Sequence, residues 1–199
     1  MFAYCNNVPS NLSDSSGTRP VSELERFGEV SLPVPPKQRT KIVKYNVPLY
    51  DQGDYKLCWA FCAAMIESFK LRIVLSKEDA TIVATSLAKR VNGFQDWNKG
   101  AMPPNAGTLC SVNSADDLYD ILLKSGPVYA LYQDTKTGGD KSEHMVVVTG
   151  VNLVTNTVYV NNPWNYSGEQ KFEEFLTGFA WSDPTEIDYS LAGIYPTTN

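Results

Sequence analysis

The residues able to do nucleophilic chemistry gather around one cysteine. In DQGDYKLCWAFCAAMIESF (51–69), turn-formers and charges give way at Cys58-Trp59 to a nearly unbroken apolar run with helical spacing. Cysteine attacks as a thiolate, and the positive end of a helix dipole lowers the pKa of a thiol placed there. Gln52 stands six residues earlier, on a loop long enough to bring its amide beside the sulfur. With the Cys58 backbone N–H it could donate to an oxyanion. The competing reading is packing, since a cysteine at a helix start is more often structural than reactive.

An imidazole would supply the proton transfers, and the chain has a single histidine, His144. It opens HMVVVTGVNLV after the loop KTGGDKSE, a position that puts the ring at a sheet edge. NTVYVNN follows across an expected hairpin near Thr155-Asn156 and returns Asn162 to the neighbourhood of His144. There an amide oxygen could accept from the imidazole N–H and fix its orientation. Asn161 competes for that role. The plain alternative is a lone histidine satisfied by ordinary surface or core contacts.

A single histidine excludes a zinc site built on several imidazoles, and cysteines at 5, 58, 62 and 110 match no zinc-ligand spacing. No metal and no cofactor are expected. Cys58 and Cys62 are too close along one helix to bridge without strain, so free thiols and a reducing compartment of synthesis are expected. A net charge of -5 argues against a nucleic-acid surface. No apolar run approaches the ~18 residues of a membrane span. MFAYCNNVPSNLSDSSG lacks a basic start followed by an apolar core, so no signal peptide is expected, and export would need another machinery.

The elements that must hold these side chains follow from periodicity and punctuation. Residues 1–40, rich in Ser, Asn and Pro, read as an extended arm, linker or pro-segment, and 41–199 as one domain. KIVKYNVPLY reads as a short strand ending at Pro48, and Cys58 to Lys70 as a helix. Ser76 caps a helix through KEDATIVATSLAKR, with Asp79 three residues on, and Ser114 caps another through SADDLYDILLKSG. A loop over 92–108 separates them and carries Trp97 and Pro103-Pro104. Strands follow in VYALYQD, in the hairpin and in DYSLAGIYP, with a short helix expected in GEQKFEEFLTGF. Helices early and antiparallel strands late make an α+β fold, a helical layer against a sheet or half-barrel. Asp116, Asp117, Glu173 and Glu174 read as helix-terminal or solvated charges, and Cys62 and Cys110 as buried small apolar residues.

QGDYKLCWAF resembles the papain-clan motif Q-G-x-x-x-x-C-W-A-F, HMVVVTGV the clan's H-A-V-x-x-V-G-Y strand, and NNPW its N-S-W segment. The order Gln, Cys, His, Asn is also the clan's. The resemblance spans about residues 45–195 and implies a papain-like cysteine peptidase. It makes Gln52 the oxyanion donor, Cys58 the nucleophile, His144 the base and acid, and Asn162 the orienting residue. Aligning Trp164 with the clan's tryptophan selects Asn162 over Asn161, whose side chain then points to the opposite face of the strand. Trp59 and Trp164 would line the site, shield it from water and touch substrate, against an ordinary core role. CWAFCAAMI, GPVYALY and NPW are similar to bacterial effector peptidases and bacteriocin leader peptidases. Asn162 stands where those branches often carry an acid, and Tyr55 where papain-type enzymes carry a disulfide cysteine.

The resemblance implies a protein or peptide substrate and, for a toxin or effector, a cognate inhibitor or immunity protein. A thioester-forming amidase or transferase and a catalytically dead binding fold are the alternatives.

Overall fold

Two serines begin helices as their spacing requires. In the computed structural model, which describes residues 40–93, 100–134, 143–177 and 189–198, Ser76 Oγ accepts from Asp79 N and Ser114 Oγ accepts from Asp117 N. The helices they open are α2 (Lys77–Asn92) and α3 (Ala115–Ser125). Ahead of them lie β1 (Ile42–Lys44) and α1 (Cys58–Leu71). The 1–40 arm up to residue 39, with Cys5, and Trp97 fall outside the described residues. After α3 come β2 (Val128–Asp134), β3 (Glu143–Asn152), β4 (Thr157–Asn162), β5 (Tyr166–Lys171), α4 (Phe172–Thr177) and β6 (Tyr189–Tyr195).

The strands form one antiparallel sheet in the order β5-β4-β3-β2-β6. β1 pairs with 150–152 of β3, beyond Val148 where β2 stops. At this crossing a side chain on Gly150 would bring its Cβ within 2.8 Å of Lys44 Cα and against the Val43 carbonyl, so glycine is required. β1 is shorter than expected. Past Lys44 the Tyr45 N–H still donates to Thr149 O, at a register shift in β3, and the chain then leaves the strand toward Gln52.

The expected α+β arrangement of a helical layer against an antiparallel sheet is present, and helices cover the second face of the sheet as well. α1, backed by α2, packs on Tyr129, Leu131, Met145 and Val147; α3 and α4 pack on the alternate residues, among them Ala130, Tyr132, Val146 and Val148. This is why β3 is buried at every position after Glu143 instead of alternating. α2 contributes only Ala80, Ala84 and Ala88 to the interior, an i, i+4 stripe of small residues that lets it lie close against α1.

GEQK does not enter a helix. It belongs to β5, which pairs with β4 from Asn162↔Tyr166 to Thr157↔Lys171, and the helix begins only at Phe172. The turn Pro163-Trp164-Asn165, closed by Asn165 at φ 60, folds β5 back on the edge that β4 would otherwise leave unpaired. Among the described residues no helix is long and apolar enough to cross a membrane.

Candidate active site

α1 begins without a side-chain cap. Its N-cap, Leu57, is fully buried and has no side-chain acceptor; its carbonyl takes the Ala60 and Phe61 N–H groups, which leaves those of Cys58 and Trp59 for another partner. The N–H groups of Cys58 and Trp59, with that of Met145 on β3, are placed to favour a thiolate on the Cys58 sulfur. Cys62, one turn further on and fully buried, donates its thiol to the Met145 carbonyl at 3.2 Å. β4 extends its pairing along β3 only to Val147, and next to that end α1 takes both backbone polar groups of Met145. Cys62 is thus more than packing: its hydrogen bond fixes the helix start against the strand that carries His144.

His144 Nε2 lies 2.8 Å from Asn162 Oδ1. The same oxygen accepts the Trp164 N–H at 3.0 Å, so the tight turn after β4 orients the amide. The Trp164 indole stacks on the imidazole with centroids 3.7 Å apart and planes 17° from parallel. His144 is consequently 2% exposed, not open at a sheet edge as its loop-to-strand position implied. Trp164 keeps 41% of its own surface exposed and forms the lid of this arrangement. With Nε2 committed to Asn162, proton exchange with a thiol runs through Nδ1.

Gln52 sits on a turn built for close approach. Asp51 Oδ1 accepts the Gly53 N–H, Gly53 takes φ 55, and the Gln52 carbonyl accepts from Tyr55 N. The Gln52 N–H donates to the Pro163 carbonyl at 2.8 Å, fastening the loop to the residue after Asn162. Its side-chain Oε1 is buried without a hydrogen-bond partner, and its amide NH₂ is the half able to donate to an oxyanion.

A family model described as "Peptidase_C39 like family" matches residues 44–183, the stretch that carries Gln52, Cys58, His144 and Asn162. The chain belongs to the Peptidase_C39-like family. No curated protein matched it. As a papain-like cysteine peptidase of α+β fold, this C39-like chain carries its candidate residues on the loop before α1, the first turn of α1, the start of β3 and the end of β4.

Burial dominates the electrostatics of the C39-like site. It pushes the Cys58 thiol up, against the opposing pull of the Met145, Trp59 and Cys58 N–H groups, with Glu143 adding to the rise. Burial also drives His144 down to about 4, only partly offset by the bond to Asn162. Both groups are therefore neutral at pH 7 in the free protein. Cys62 lies deeper, and burial holds its thiol well above the usual range, with Cys58 adding to the rise. Iodoacetamide at pH 7 is expected to label half-buried Cys58 well before Cys62, as read by peptide mapping over time. Equal slow labelling of the two would contradict a reactive Cys58.

The remaining sequence candidates separate cleanly. Asn161 points away from His144, as the alternation of β4 requires, and bonds to Val47 O and Ser167. Trp59 is 2% exposed inside the core formed by α1 and α2, so it has no surface to offer a substrate. Cys110 is half-buried rather than buried, its backbone bridging to Ile194 on β6. Pro103 is buried and Pro104 exposed. Sequence reasoning missed the Met145 backbone, which no side-chain motif reveals. It also missed the tether from Cys62, whose only signal was its place one turn after Cys58. Among the described residues no cluster of His, Cys, Asp and Glu could hold a metal ion.

Proposed function

We propose that the chain is a cysteine endopeptidase that hydrolyses peptide bonds through a thioester on Cys58. Cys58 Sγ attacks the scissile carbonyl as His144 Nδ1 takes its proton. Because thiol and imidazole both rest neutral, that transfer accompanies the attack instead of preceding it. The oxyanion is held by the Cys58 N–H and the Gln52 amide. The tetrahedral adduct collapses, the imidazolium gives its proton to the leaving amine, and the thioester remains. Water, deprotonated by His144, then releases the acid and restores the thiol. Asn162 keeps Nε2 engaged and so turns Nδ1 toward the sulfur throughout.

The observation that carries this reading is the 2.8 Å bond from His144 Nε2 to Asn162 beneath the stacked Trp164. It supports a ring held in one tautomer, which a merely structural histidine does not need. The finer assignment, a bacterial toxin or effector domain cleaving a protein of another cell, is supported by the resemblance of CWAFCAAMI, GPVYALY and NPW alone, and a cognate inhibitor would accompany it.

A search for new protein N-termini after exposure to wild type or Cys58→Ala tests the reading. New termini made only by wild type identify a peptidase and its substrate. Released muropeptides would instead identify an amidase, and binding without either activity a dead fold. On a peptide spanning the cleavage site so found, Gln52→Ala is expected to lower kcat by about 10²- to 10³-fold, as loss of one oxyanion donor does. An unchanged kcat would remove Gln52 from the oxyanion hole.

A further inference from the structure

We infer that Asn161 is the positioning residue for the oxyanion loop, acting on the reaction through Gln52 and not through His144. The inference rests on the peptidase reading above. Asn161 is 4% exposed, and its carboxamide is satisfied at both ends. Nδ2 donates to the Val47 carbonyl at 2.9 Å, and Oδ1 accepts from Ser167 Oγ at 2.7 Å. Ser167 is the register partner of Asn161 on β5, so the rotamer is set by the sheet itself.

Val47 lies on the segment between β1 and α1 that ends in the Gln52 turn. From Val47 to Gln52 that segment is in no strand, and its bonds to the sheet are two: Val47 O with Asn161, and Gln52 N with Pro163 O. Both run to Asn161-Asn162-Pro163. The neighbouring Asn162 holds the imidazole from the other face of β4. Adjacent asparagines therefore fix the base with one side chain and the oxyanion donor's loop with the other. One rigid strand end sets the distance between them.

Only a group that both donates and accepts can take this position. Aspartate would set an oxygen against the Val47 carbonyl, and alanine would leave that buried carbonyl unpaired, while the exposed Ser167 hydroxyl would turn to solvent. Because positioning errors of about 1 Å cost up to ~10²-fold in rate, Asn161→Ala is expected to lower kcat about 10- to 100-fold with KM nearly unchanged.

The test is a double-mutant cycle in the full chain, using the peptide from the new-N-terminus search. In a Gln52→Ala background, Asn161→Ala should add less than about two-fold, because the group it positions is already gone. The iodoacetamide rate at Cys58, which requires the thiol and imidazole but no oxyanion hole, should match wild type. Ser167→Ala should show a smaller loss that also vanishes in the Gln52→Ala background, and it carries the test should Asn161→Ala fail to fold. Equal losses in both backgrounds, or alkylation slowed in step with hydrolysis, overturn the inference while the peptidase reading stands. Hydrolysis that persists in Cys58→Ala overturns both.

Discussion

Replacing Cys58 with serine is expected to lower kcat/KM on the cleavage-site peptide by roughly 10⁴-fold or more. The size follows from the site's electrostatics. A thiol ionises within reach of a weak base, whereas an alcohol does not, and burial leaves His144 a weak base with a pKa of about 4. Sterically the exchange is mild: sulfur and oxygen would both meet the Met145, Trp59 and Cys58 N–H groups at the start of α1. Stability should therefore change by less than about 1 kcal/mol, measured by urea unfolding. Unchanged stability with lost hydrolysis assigns the effect to chemistry. Retention of more than about a tenth of wild-type activity would exclude Cys58 as nucleophile.

His144→Gln is expected to remove activity on a similar scale, roughly 10⁴-fold, and to leave a mark on stability as well. As the single histidine, His144 is the one side chain in the protein whose ordinary pKa falls between pH 5 and 7. Its folded value of about 4 lies below the ordinary 6.5. Between those values the unfolded chain binds the proton and the native state does not, so stability rises with pH. The contribution is complete above 6.5 and is lost as pH falls toward 4. From pH 7 down to pH 5 the loss amounts to about 2 kcal/mol. Urea unfolding of wild type at the two pH values should show that difference, and His144→Gln should flatten it. A wild-type stability equal at pH 7 and pH 5 would mean the imidazole is charged in the native state, as in a preformed thiolate–imidazolium pair.

Tyr55, which departs from papain-type enzymes, and Asn162, which departs from the compact bacterial branches, both make physical sense in this setting. Tyr55 stacks on Phe61 of α1, centroids 6.4 Å apart, and steadies the loop by ring contact where related enzymes use a disulfide. Asn162 offers a neutral acceptor in place of a carboxylate. A carboxylate at 2.8 Å would favour the imidazolium; an amide does so weakly, and burial prevails.

The helices and most strands were legible because local signals decide them. Ser76 and Ser114 cap α2 and α3 through bonds that span three residues, and β-branched runs joined by turn residues mark β3 and β4 as a hairpin. The GEQK segment was not legible: its charges suit a helix, and it is a strand because β4 needed an edge partner. The burial of His144 was hidden for the same kind of reason. A strand start after a polar loop reads as exposed, and only the turn that swings Trp164 back over the ring encloses it.

Residue types and their order thus determined the chemistry available: one thiol at a helix start, one imidazole, and an amide on either side of them in the chain. Tertiary structure decided how that chemistry is poised. It assigned Asn162 to the imidazole and Asn161 to the loop, gave Cys62 the Met145 carbonyl, withdrew Trp59 into the core and left Trp164 as the lid. These outcomes depend on which backbone groups remain unpaired where β4 ends beside β3 and α1 begins. That is a long-range property of the folded sheet, and no single segment encodes it.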